Sequence, residues 1–227
     1  MRVPQKRGTR GSLRWIQEAV NQHPRYLNFK ISERCGLSPN ETIQWVSPVQ
    51  QDDFAEYRDS QFLDLLEVRL PARPLKSFWP VRGPQWDALG RTDNGNVLLV
   101  GAKANVPELV SDKCQAGEKS KTLIRRSLRE VQDFLKVDPE ADWLGKLYQY
   151  TNRLAHLYLL RELNRVEAHL VFVYFVGATK VSGPQTVPEW EAALSVARGV
   201  LGLGKRHRLS NYIYDVFIDV REFRTGV

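Results

Sequence analysis

Apolar positions along the chain follow two rhythms, one with the period of a helix and one with the period of a strand. Ser12 is placed as the N-cap of a helix over residues 12–22, which Pro24 stops. Ser38-Pro39-Asn40-Glu41 has the form of a capping box with proline at the first helical position, yet residues 43–46 alternate like a short strand. That piece is compatible with either element. Phe54, Tyr57, Phe62, Leu65 and Leu66 recur at helical spacing and predict a helix over 52–68, ended by Pro71 and Pro74.

A strand-rich centre follows, with extended pieces at 76–79, 85–91 and 96–104. Helices are predicted over 119–135 and 143–163, the second apolar around most of its circumference and so expected to be buried. Residues 169–176 (HLVFVYFV) form the continuous apolar run of a strand covered on both faces. Thr186 and Glu189 open a helix to about residue 201, and residues 212–220 read as a last strand. The order implies an α/β domain with a mixed central sheet flanked by helices. Residues 1–51 are read as a basic arm and helical extension and residues 52–227 as the α/β domain, together one compact unit. Residues 1–11, rich in Arg, Lys, Gly and Pro, are expected to be a flexible arm.

The 227 residues suffice for one sizeable core. No apolar run approaches the roughly 20 residues of a membrane helix, and the N-terminus lacks the apolar stretch of a signal peptide. A cytoplasmic protein without a membrane partner is the expectation. Cys35 and Cys114 form no metal-binding or disulfide spacing, and His23, His156, His169 and His207 are scattered, which argues against a zinc or Cys/His enzyme.

The formal charge of +7 suits a phosphate-rich partner. Its distribution adds to this. Arg2, Lys6, Arg7, Arg10 and Arg14 precede the first acid, Glu18, and Lys119, Lys121, Arg125, Arg126 and Arg129 lie on one predicted helix. Lys205, Arg206 and Arg208 form a third group. Each cluster alone reads as solvated surface; together they favour an anionic ligand, with Arg125, Arg126, Arg129 and Arg153 as the candidate nucleic-acid contacts.

Asp93-Asn94-Gly95 is a hairpin turn signal, with glycine in the left-handed position. That loop sets Thr92 opposite Asn96, Asp87 opposite Gly101 and Gln85 opposite Lys103. Opposed residues share a face, so Asp87, Gly101 and Lys103 are predicted together. Trp86, Ala88, Val100 and Ala102 are predicted on the other face, packed against a helix.

Asp87 followed by Gly101-Ala102-Lys103 at the end of an apolar strand resembles the signature of the PD-(D/E)XK, or restriction-endonuclease-like, nuclease superfamily. There an aspartate on one strand faces a Glu-x-Lys or Asp-x-Lys on the next. The resemblance spans residues 52–176 and implies a restriction-endonuclease-like core and hydrolysis of nucleic-acid phosphodiesters, DNA or RNA. It also implies magnesium or manganese held by carboxylates. Asp87 would then be a metal ligand and Lys103 the catalytic lysine that orients water.

Gly101 departs from the pattern, since it stands at the second acidic position. Three accounts are open: a Glu→Gly exchange, a lineage that lost catalysis and kept binding of nucleic acid or a protein partner, or another carboxylate such as Glu56 or Glu108 in its place. Glu56 matches the accessory metal ligand of many family members, although Asp52, Asp53, Asp59, Asp64 and Glu67 make an acidic solvated face the favoured reading. Gln149, Arg153 and His156 fall on one face of the buried helix. Gln149 is similar to the active-site glutamine of some nuclease branches. Phe78, Trp79 and Trp86 read chiefly as core, and the glycines at 199, 202 and 204 as a helix stop.

Overall fold

The computed structural model describes residues 1–38 and 41–224. Pro39 and Asn40 of the expected capping box lie outside them. Residues 43–47 settle as strand β2 (Ile43–Ser47), after β1 (Arg2–Val3), α1 (Gly11–Gln22) and α2 (Pro24–Cys35). The chain continues through β3 (Glu56–Tyr57), α3 (Ser60–Leu65), α4 (Leu75–Phe78), β4 (Ala88–Thr92) and β5 (Val97–Lys103). It closes with α5 (Glu118–Leu135), α6 (Tyr148–Tyr158), β6 (Ala168–Val176), α7 (Val187–Val200) and β7 (Ile213–Asp219).

The central sheet is mixed, in the order β2-β4-β5-β6-β7. The pairs β2/β4 and β4/β5 are antiparallel, while β5/β6 and β6/β7 are parallel. Alternation along β5 builds two cores. Leu98, Val100 and Ala102 pack with Trp15, Ile16 and Ala19 of α1 and with Leu27 and Ile31 of α2. Leu99 packs on the opposite face with Leu128 of α5, Leu154 of α6 and Trp190 of α7. The continuous apolar run of β6 serves both: Phe172 and Tyr174 enter one core, Val171 and Val173 the other. Residues 1–51 thus supply an edge strand of the sheet and both helices that cover one of its faces.

Three expectations are corrected. The helix over 52–68 is broken, because Asp53, Phe54 and Asp59 hold φ of 52°, 49° and 56°, a region closed to a continuing right-handed helix. Only Ser60–Leu65 stays helical, while Glu56–Tyr57 pairs antiparallel with Arg2–Val3. The expected flexible arm is therefore tied down, and Arg2 Nε donates to Asp52 Oδ1 at 2.7 Å. Second, the extended piece at 76–79 is a single helical turn, Leu75–Phe78, after Pro74. Third, α6 starts at Tyr148 rather than at 143, since Trp143 is held elsewhere by its indole N–H on the Leu201 carbonyl, 2.9 Å away.

Candidate functional site

The hairpin register is the predicted one from the turn as far as Ala88. Gly95 has φ of 85°, Thr92 N donates to Asn96 O at 2.9 Å, and Ala88 pairs with Val100. At Asp87 the strand departs from that register. Its N–H bonds the carbonyl of Val100, at 3.1 Å, the same residue that Ala88 faces. Two residues meeting one is the arrangement of a bulge, which breaks the alternation. Trp86 consequently turns into the core of Phe62 and His156 rather than joining Ala88 and Val100 as expected. The bulge also aims the Asp87 carboxylate along β5, where Oδ2 accepts from Ala102 N at 2.9 Å.

Gly101 has an ordinary extended φ, so its backbone does not require glycine, while its surroundings are tight for a side chain. A Cβ placed there would lie 3.1 Å from Arg153 Nε and 3.1 Å from Phe172 Cδ1. The side chain of Arg153 lies across the glycine and its guanidinium grips the hairpin. Nη2 donates to Asp87 Oδ2 at 3.0 Å and to the Gln85 carbonyl at 3.1 Å, and Nη1 donates to the Gln149 carbonyl at 3.2 Å. Arg153 is only 5% exposed, and its Nε is buried with no hydrogen-bond partner. The residue expected to meet phosphate is instead paired with the aspartate expected to hold metal.

Lys103 Nζ donates to Gln149 Oε1 at 2.9 Å, so the strand lysine and the helix glutamine do meet. Burial holds the Lys103 ammonium below its ordinary pKa, opposed by the Asp87 charge and reinforced by that of Arg153. Glu56 is buried beside them, and burial together with the Asp87 charge pushes its carboxyl up to about 8. Its Oε2 accepts from Gln5 Nε2 at 3.2 Å and from Gln85 Nε2. Glu108, the other candidate substitute, is spent elsewhere. Its Oε2 accepts from Ala104 N at 2.8 Å and its Oε1 from Ser12 N at 3.4 Å, joining the end of β5 to the start of α1.

Glu56, Asp87, Gly101, Lys103, Gln149 and Arg153 are thus brought to one place. Arg125, Arg126 and Arg129 are exposed on α5 and do not line the cleft beside this site. His156 is core: it packs among Trp79, Trp86 and Phe62, and burial lowers its pKa to about 4. Gln85 and Gln5 were not singled out as site residues. The hairpin register pointed to Gln85, whereas nothing in the sequence ties Gln5 to Glu56.

The donor set does not add up to a magnesium site. No group of three or more His, Cys, Asp or Glu suited to a metal ion occurs among the described residues. Of the two carboxylates present, Asp87 is paired with Arg153 and Glu56 favours its neutral form. What the arrangement offers is one buried cation, Arg153, paired with Asp87, a half-buried Lys103 and a row of amides.

No helix among the described residues is long and apolar enough to cross a membrane. Compared with known proteins, the chain matches no family model, no curated protein and no solved structure.

Proposed function

We propose that this is a restriction-endonuclease-like module that binds nucleic acid through a phosphodiester-hydrolysing type of site, held inactive by the glycine at position 101. One observation carries the reading. Asp87, position 101, the Lys103–Gln149 pair and Glu56 converge at the bulged end of one hairpin, the constellation the sequence resemblance called for. A mixed sheet with helices on both faces is compatible with that fold.

In this reading Arg153 is the cation that neutralises Asp87, occupying the space that a residue-101 side chain would claim. Lys103 and Arg153 supply positive charge toward a phosphate, and the Gln149 amide orients Lys103. A carboxylate at 101 would shift the arginine aside while staying within its reach, and complete a set of three with Glu56 and Asp87, suited to magnesium or manganese.

The test is Gly101→Glu beside the parent chain, assayed for cleavage of DNA and RNA with and without Mg²⁺ or Mn²⁺. Cleavage is expected only in the variant and only with metal, and is expected to vanish when Asp87→Ala is added. If the folded variant cleaves neither polymer under any metal condition, the nuclease-type reading fails. Binding without cleavage by the parent chain is the non-enzymatic half of the proposal, and its affinity should fall steeply with salt.

A further inference from the structure

A cleft of about 620 Å³ opens beside the Asp87–Lys103 site, within the size range of small-ligand pockets. Gln85, Gln149 and Arg153 belong to both, so the cleft continues the site rather than lying apart from it. Its lining is sorted by depth. Asn152 and Arg153, at 7% and 5% exposure, are buried members, together with Ser111, Cys114 and Ile124. The exposed members include Arg82 and Lys113. Pro80, Val81, Pro84, Ala116 and Ile124 supply apolar surface, and Val81 is 79% exposed.

Two features ask for a ligand. Asn152 Oδ1 and Arg153 Nε are both buried without hydrogen-bond partners, but Nε faces Gly101 across the strand, so the unmet group on the cleft wall is Asn152. Leaving one such group unmet costs about 1–3 kcal/mol. Arg82 and Lys113, for their part, make no hydrogen bond or ion pair in this structure, and they share the exposed edge of the cleft with one acid, Asp112. The cleft therefore combines one buried amide, Asn152, with apolar lining and, at its exposed edge, two unpaired cations beside Asp112.

Resting on the reading above for the choice of a polynucleotide, we infer that this cleft takes one unpaired nucleotide of a single strand, next to the phosphate facing Lys103. The base lies against the proline and aliphatic lining and meets the amides of Asn152 and Gln85. Its phosphate meets Arg82 and Lys113. Amide side chains pair with the edges of bases, and such edges are open only where the base is unstacked. A continuous duplex can enter the cleft only by extruding a base, at a cost of a few kcal/mol. The substrate class is thus single-stranded or locally unpaired nucleic acid.

The test uses the full chain as it stands, in EDTA, with fluorescence anisotropy of a short labelled DNA strand, its RNA counterpart and the matching DNA duplex. At least one single strand should bind about tenfold or more tightly than the duplex, a difference of about 1.4 kcal/mol. Asn152→Leu should weaken single-strand binding about tenfold without lowering the melting temperature. Arg82→Ala with Lys113→Ala should weaken it too and flatten the salt dependence by about 0.7 in slope, the value for the one phosphate the two cations share. Equal affinity for duplex and both single strands overturns the inference, as does unchanged binding by either set of variants. If Asn152→Leu does not fold, the surface pair alone decides. Equal cleavage of duplex and single strand by Gly101→Glu would remove the nucleotide slot and leave the nuclease reading intact. A single-strand preference with no cleavage by Gly101→Glu does the reverse.

Discussion

Val100 and Gly101 are neighbours on one strand, yet they look into different kinds of interior. On the side of Val100, Ala88, Leu98 and Ala102 meet α1 and α2 in a core made of apolar residues. On the side of Gly101, the same strand ends among Asp87, Glu56, Lys103 and Arg153, with α6 bringing Asn152 and His156 into burial as well. The first face contributes stability through removal of apolar area from water. The second spends part of that stability on ionisable groups whose desolvation is only partly offset by pairing. The second face has an apolar core of its own around Leu99, Leu128, Leu154 and Trp190, and carries charge only at its Gly101 end.

The largest test of that contrast is Val100→Asp. Val100 is fully buried with no cation in its core, so an aspartate there should cost about 4 kcal/mol or more and abolish the thermal unfolding transition. Gly101→Glu, one residue along, should keep a cooperative melt, because Arg153 can pair with the new carboxylate. Equal loss of folding in both would erase the distinction between the faces.

Next in size is Arg153→Met. Removing a partner from a buried ion pair leaves its mate unneutralised, which costs about 3–5 kcal/mol when both are fully buried. The Asp87 side chain is 22% exposed, so urea denaturation should show a smaller loss, about 2–3 kcal/mol after that discount. Adding Asp87→Asn should recover about half of it, and strict additivity of the two changes would mean the pair is not coupled.

The smallest effect depends on pH. Glu56 has its carboxyl raised to about 8, so the folded chain holds a proton that the unfolded chain releases near 4.5. This group's contribution is full at acidic pH and is lost as pH rises through the window from about 4.5 to about 8. Glu56→Gln removes that decline. Relative to the parent, its melting temperature should be little changed near pH 5 and higher by about 4 °C near pH 9, as roughly 1–2 kcal/mol implies for a chain of this size. A shift of the same size at both pH values would show that Glu56 is not held neutral.

The sheet was readable because its signals are local or continuous. Asp93-Asn94-Gly95 dictates a register that no distant contact needs to correct, and the run in β6 can be little other than a buried strand. Thr186 likewise caps α7, accepting from Glu189 N at 3.4 Å. The stretch 52–68 misled because its apolar spacing reports burial. Pairing of Glu56–Tyr57 with a strand more than fifty residues upstream overrides the helical rhythm. Within the site, the register placed Asp87, Gly101 and Lys103 together, but the bulge that turns Trp86 away has no sequence signal of its own. The partner of Asp87 was also out of reach: the helical stripe flagged Arg153, while only the crossing of α6 over β5 shows that this arginine pairs with Asp87 and crowds position 101.

The Asp87–Arg153 pair joins residues 66 apart in the chain, and this sets an order of assembly. The β4–β5 hairpin closes on its own tight turn, an event of about 1–10 μs for hairpins generally. Strand β6 reaches β5 only after the crossover carrying α5 and α6 has returned, and closing that longer loop carries the larger entropic cost. On this order, Asp87 is expected to stand hydrated on a formed hairpin before its arginine arrives, and the chemistry-bearing end of β5 to lose its water after the turn end does. In pulse-labelled hydrogen exchange, amides of the hairpin turn should gain protection before those of β6 and α6.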